Sequence, residues 1–247
     1  MTATPPPTLT DTTKQSPSPG GRIPQQSSKP RAGRSHAFTT WIIQVCGEDP
    51  GARSALRSGL RKDLDSVQRM HRLVAPWLPE PRSEDVERAY YTIAAMIAAQ
   101  PRNAPAVPQG AADSLEQPGV TTAVPAPRRR ASLGTAFATA VAEGPGREKE
   151  MRAGTAESRL NLLTRQSVNG LHRHLPASVG YLRSLGVDVD WTQLLDDLGN
   201  WRKKSGQISR TWLQDFYRVQ SKALTQQADE ADEKQLATED AAGPAAP

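Results

Sequence analysis

Proline is distributed so unevenly along this chain that it sets the limits of any fold. Of 21 prolines in 247 residues, seven fall within residues 1–36 and six within 101–127. Proline fixes φ at about −65° and removes a backbone donor, so neither stretch suits the inside of a helix bundle or a sheet. Both are otherwise rich in small and polar residues, and carry too little apolar surface to offset an ordering cost of about 1–2 kcal/mol per residue. Residues 226–247 are mostly Ala, Asp and Glu and end in Gly243-Pro244-Ala-Ala-Pro247. The chain is therefore expected to divide into a disordered leader (1–36), an N-terminal helical half (37–100), a flexible loop (101–127), a C-terminal basic helical half (128–225) and a disordered acidic tail (226–247).

Within the two halves the apolar spacing is helical, and no alternating run flanked by Asn-Gly or Asp-Gly marks a hairpin. Phe38, Trp41, Ile42 and Val45 share a face, and this segment stops at Gly47–Pro50. Ala52, Leu56 and Leu60 form a second helix, and Val67, Met70, Leu73 and Val74 a third. Ser83 caps a fourth with three acids in its first turn, where they complement the macrodipole. In the second half Ser132 and Ser167 stand as caps, Pro176 is expected to kink or split its helix, and Asp190 with Gln193 has capping-box spacing. Trp191, Leu194, Leu195, Leu198 and Trp201 form one stripe, and Trp212, Leu213, Phe216, Tyr217 and Leu224 pack the last helix. The fold class is all-α: two small helical bundles joined by a long Pro/Ala-rich loop, with disordered termini.

The net charge of +5 is not spread evenly. Residues 37–127 hold 9 bases and 10 acids, whereas 128–225 hold 16 bases and nine acids. A positive field on a folded block attracts polyanions. Its carriers are grouped: Arg53, Arg57 and Arg61 four apart with Lys62, the triplet Arg128-Arg129-Arg130 before Ser132, Arg159 and Arg165 around Leu160–Leu163, and Arg202-Lys203-Lys204 facing Arg210 across an expected turn at Ser205-Gly206-Gln207. These donors suit phosphate oxygens, and no base-reading side chains accompany them. For any one of these arginines, a solvated or Glu-paired role is the plainer reading.

Other chemistry is weakly signalled. Asp188, Asp190, Asp196 and Asp197 could hold a divalent ion for a nuclease, but Asp190 reads better as a cap and the others as surface or helix-start acids. His172 and His174 are two apart and fall on different helix faces. The single cysteine, Cys46, excludes an intrachain disulfide and a thiolate zinc cage and is expected to be a small buried residue. No Gly-rich phosphate loop or nucleophile–base pair is present, so neither catalysis nor a cofactor is expected. Trp77, between Pro76 and Pro79, is the one aromatic whose exposure is open, and an exposed Trp77 would suit a protein partner or a nucleotide. Mean hydropathy is −0.60, no apolar run approaches a membrane span, and Met1–Pro7 lacks the basic and apolar parts of a secretory leader, so a soluble cytoplasmic protein without membrane contact is expected.

An ordered series of short motifs is more specific. Ala55-Leu-Arg-Ser-Gly-Leu60, Leu73-Val-Ala-Pro-Trp-Leu-Pro79, Ala89-Tyr-Tyr91, Ser132-Leu-Gly134, Arg159-Leu-Asn-Leu-Leu-Thr-Arg165, Asp190-Trp191 and Trp212-Leu-Gln-Asp-Phe216 together resemble the CasB family, the small subunit of the type I-E CRISPR complex Cascade. The resemblance implies a non-catalytic helical protein that homodimerises within the complex, contacts its backbone and large subunits, and lies along crRNA and opened target DNA. It also implies that basic surface residues make those contacts, here Arg53, Arg57, Arg159, Arg165, Arg202, Lys203, Lys204 and Arg210. Arg128, Arg129 and Arg130 are added on charge alone, and the 101–127 stretch is longer than the family's usual connection. Two other readings stay open: a helix-turn-helix regulator built on 190–222, and the metal nuclease.

Overall fold

Helix boundaries in this protein are written largely by short polar side chains one turn ahead of apolar stripes, as a computed structural model shows for residues 31–101, 130–142 and 150–241. Helix α1 spans Arg31–Glu48 and α2 spans Pro50–Arg57. Between them the Asp49 carboxylate accepts from the amides of Gly51 at 2.7 Å and Ala52 at 3.0 Å, and Pro50 takes the first helical position. Short 3₁₀ turns and a single α-turn, α3 (His71–Val74), lead to α4 (Glu84–Ala99), capped by Ser83 Oγ. The second half holds α5 (Leu133–Val141), α6 (Ala153–Thr164), α7 (Val168–Ser184) and α8 (Trp191–Ala241). Ser132, Ser167 and Asp190 each accept the backbone amide three residues on. No strand occurs among the described residues.

Two helices organise the rest. From Ala89 to Ala98, α4 is buried at nearly every position, so it runs through the interior with α1, α2, α7 and α8 around it. The first half of α8 turns Trp191, Leu195, Leu198, Trp201, Ile208, Trp212 and Phe216 inward against α4 and α5. The buried residues of α1–α4 and of α5–α8 form one continuous core. At the α5–α8 crossing Gly134 lies directly under the Trp212 carbonyl, close enough that no side chain fits between the backbones.

Several local expectations change. Helix α7 runs unbroken through Pro176, because Leu171, Leu175, Val179 and Leu182 are buried on both sides of it. Burial at about 1.5–3 kcal/mol per large side chain outweighs roughly 3 kcal/mol for the internal proline. Helix α1 starts at Arg31 rather than after residue 36, and its first turns bury Ser35 and Thr39 against α8 through Ser35 Oγ–Asp196 Oδ1 at 2.7 Å and Thr39 Oγ1–Thr192 Oγ1 at 3.0 Å. Two small hydroxyl side chains let the helices approach closely, which an apolar-pattern rule does not register. At the other end α8 continues through residue 226 to Ala241 and outruns the body, leaving Tyr217 47% and Leu224 67% exposed instead of packed. Residues 1–30 of the leader and 102–129, which hold almost all of the expected loop, lie outside the described residues. Trp77 is buried, its ring centroid 6.0 Å from Phe38 and 5.4 Å from Trp41, so it is a core residue and not a surface patch. Cys46 is buried as expected, and burial pushes its thiol up to about 11. No helix among the described residues is long and apolar enough to cross a membrane.

Candidate nucleic-acid interface

The basic stretch of α8 bends where two helical segments meet, at a kink one residue ahead of the turn expected at 205–207. Lys204 alone leaves helical geometry, at φ −134° and ψ 19°, and Ser205-Gly206-Gln207 continue the helix. On the inner side Trp201, ahead of the kink, and Ile208 and Trp212, after it, all face the core. Two hydrogen bonds fasten the end of α6 to this stretch. Trp201 Nε1 donates to the Gln166 carbonyl at 3.1 Å, and Ser209 Oγ to the Thr164 carbonyl at 3.1 Å. Arg165 lies between those two carbonyls and is therefore held beside the bend. Arg165, Lys203, Lys204 and Arg210 are all exposed, and none has an ion-pair partner among the described residues.

Arg202, in the same stretch, is committed differently. Its guanidinium meets both oxygens of Asp85 on α4, with Nη2–Oδ1 at 2.8 Å and Nε on Oδ2. The bond from Arg202 holds the Asp85 carboxyl below its ordinary range. Arg202 nevertheless stays 68% exposed, so an outer edge of its guanidinium faces solvent. The neighbouring α4–α7 seam is polar: Arg88 donates to Asn169 at the surface, and Thr92 Oγ1 lies 2.9 Å from His172 Nδ1 further in. Burial lowers His172 to about 4, so it is neutral at pH 7, while His174 is exposed on the other face.

The remaining basic candidates are not brought to this bend as a free group. Arg53 donates from Nε to the Ala98 carbonyl at 3.1 Å and from Nη2 to that of Gln100, satisfying the last carbonyls of α4. Arg57 is exposed on α2, and Arg61 sits beyond the end of that helix at φ 62°, so the four-residue spacing does not make one helix face. Arg159 stacks over the Tyr181 ring with its central carbon 4.5 Å from the centroid. Arg130 pairs with Asp196 at 3.0 Å. Arg128 and Arg129 lie outside the described residues.

The four aspartates considered for a metal are each engaged in the fold. Asp190 caps α8, Asp188 pairs with the buried Arg183, and Asp196 accepts from Ser35 and Arg130. Asp197, expected at the surface, is buried and accepts from Trp212 Nε1 at 2.7 Å and Gln193 Nε2 at 2.8 Å. Burial pushes its carboxyl up to about 6. Among the described residues no three His, Cys, Asp or Glu are grouped so as to hold a metal ion. The sequence reading passed over Arg69 and Arg72, both exposed, although a spacing of three was available as a signal.

The sequence matches the family described as CRISPR-associated protein Cse2 over residues 52–217. The chain belongs to the Cse2 family. That family match takes in α2 to α7 and the packed part of α8, and it agrees with the CasB resemblance read from the motifs. A chain of a CRISPR RNA-guided surveillance complex is 35% identical, the match covering 80% of this chain and 98% of that one with a TM-score of 0.64. Two further Cse2-like structures share the fold. CasB from Thermus thermophilus is 19% identical over 74% of this chain and 97% of its own, with a TM-score of 0.51. M. ruber CasB is 21% identical over 78% and 97%, with a TM-score of 0.57. No curated protein matches the sequence.

Proposed function

We propose that this Cse2-family chain is the non-catalytic small subunit of a type I-E CRISPR surveillance complex, where it holds nucleic-acid backbone without reading sequence and so stabilises the crRNA-guided R-loop. Its partners are the backbone and large subunits, the crRNA and target DNA, and a second copy of itself. The observation that carries this reading is the group of exposed cations, Arg165, Lys203, Lys204 and Arg210, held at the bend of α8 without carboxylate partners among the described residues. The 35%-identical relative within a surveillance complex supports the setting. The bend offers phosphate-binding donors, while the side chains a recognition helix would need are turned inward as Trp212 and Phe216.

R-loop formation exchanges one duplex for another of similar stability, so a few backbone contacts are enough to tip it. The test is fluorescence anisotropy of labelled single-stranded oligonucleotides of unrelated sequence, over a series of salt concentrations, with the full chain and its K203E/K204E/R210E variant. Three lost single-strand contacts reduce the steepness of log affinity against log salt by roughly 2, at about 0.7 per contact, and by the same amount on every sequence. An unchanged slope, or a loss confined to one sequence, overturns the proposal.

A further inference from the structure

The charge count assigns the positive field to the second half of the chain, yet a cation-lined groove without carboxylates lies in the first. Three surface depressions make the comparison. The one beside Arg202 also carries Glu80, Glu84 and Asp85, and the one beside Arg88 carries Asp63, Asp65, Glu84 and Glu87. The third, of about 440 Å³, is lined by Gly51, Ser54 and Ala55 of α2 and by Gln68, Arg69 and Arg72 across from it. Every polar side chain on that lining can donate a hydrogen bond, and no acid is among them. Arg69 and Arg72 are exposed, and neither has an ion-pair partner among the described residues.

The setting of the groove fixes its geometry. Gln68–Met70 is a 3₁₀ turn running straight into α3, so Arg69 and Arg72 are three residues apart on one short helical rod. Met70 between them is fully buried and anchors the rod, and Val74 does the same one turn later. On the facing side Gly51 presents no side chain, and the Asp49 carboxylate that caps α2 lies beside it.

We propose that this groove is a second binding site for nucleic-acid phosphodiester backbone, with Arg69 and Arg72 as its principal contacts and Ser54 and Gln68 as neutral donors. It rests on the function proposed above and adds a contact surface that the α8 bend does not contain. The two sites draw on different elements: α2 and the 68–72 rod line the groove, whereas α6 and α8 form the bend.

The test compares R69E/R72E, R69K/R72K and K203E/K204E/R210E in the same anisotropy titrations of mixed-sequence single-stranded DNA against salt, on the full-length chain. The expected result for R69E/R72E is a slope smaller by roughly 1.4, from two contacts at about 0.7 each, with an unchanged melting temperature because both side chains are exposed. The lysine pair retains the slope. If R69E/R72E binds as the unaltered chain does while the α8 variant is weakened, the groove proposal fails and the function proposed above stands. If neither variant changes binding, both fail. If R69E/R72E leaves DNA binding intact but abolishes co-purification with the other subunits, the groove receives an acidic protein surface, which also overturns it.

Discussion

Gly134→Ala gives the sharpest test of how α5 packs against α8 within the second half. A Cβ at residue 134 would lie 1.8 Å from the Trp212 carbonyl oxygen, 2.6 Å from its carbon and 2.9 Å from its Cα. Ordinary contact between such atoms needs about 3.5 Å, so α5 must retreat from α8 by more than about 1 Å. The obstructing atoms are backbone, so no rotamer change relieves them. Retreat would loosen Leu133, Ala136, Phe137 and Ala140, all buried on α5, and a gap of that size forfeits about a quarter to a half of each contact. Overpacking of this kind costs about 1–3 kcal/mol and sometimes more, and the backbone clash places Gly134→Ala near the upper end. Gly180→Ala is the control. It lies inside α7, exposed, with nothing within 4 Å of where a Cβ would sit, and replacing glycine with alanine there stabilises a helix by up to about 1 kcal/mol. At about 2–4 °C per kcal/mol for a chain of this size, melting followed by far-ultraviolet circular dichroism should fall by about 6–12 °C for Gly134→Ala and rise by about 2–4 °C for Gly180→Ala. A Gly134→Ala protein that melts at or above the unaltered chain would refute the close approach of α5 to α8.

Two further predictions concern buried groups and the leader. Asp197 is raised from 3.8 to about 6, so between those values the folded chain keeps a proton that the unfolded chain releases, and stability falls as pH rises. His172 is lowered from 6.5 to about 4, so in that window the unfolded chain holds the extra proton and stability rises with pH. Each contribution is about 3 kcal/mol, and the two nearly cancel. Denaturant melts from pH 4 to 6 should therefore be flat for the unaltered chain, slope downward for His172→Asn and upward for Asp197→Asn. Parallel profiles for the two variants would contradict the opposed titrations. Deleting residues 1–30 should leave melting unchanged, whereas deletion through Thr39 removes Phe38, Ser35 and Thr39 from the core and should lower it by about 10 °C, since a lost buried Phe costs about 3–5 kcal/mol.

What could be read from the sequence was local. Ser83, Ser132, Ser167 and Asp190 were legible as caps because each bonds an amide only three residues away. The α8 stripe was legible because its spacing repeats over several turns. Pro176 was misread as a break although Leu171, Leu175, Val179 and Leu182 keep their helical spacing across it, whereas the turn expected at 205–207 is met one residue earlier by the kink at Lys204. Apolar periodicity should have outranked the single breaker residue. Arg202 was out of reach for a different reason: Asp85 is 117 positions away in sequence, and only folding makes them a pair. Arg53 likewise looked like a surface cation, and its role at the end of α4 depends on a packing that no local pattern encodes. The Arg69–Arg72 groove was hidden by averaging, because the acids that cancel its charge over residues 37–127 line other depressions.

The central claim is that exposed cations at the α8 bend hold nucleic-acid backbone irrespective of sequence. It is tested most directly by the lifetime of R-loops formed by the assembled complex on several fully matched targets of unrelated sequence, with the unaltered chain or K203E/K204E/R210E. The expected result is a shortened lifetime, by the same factor on every target and with a weaker dependence on salt. Lifetimes that are unchanged, or that shorten on some targets only, would contradict it.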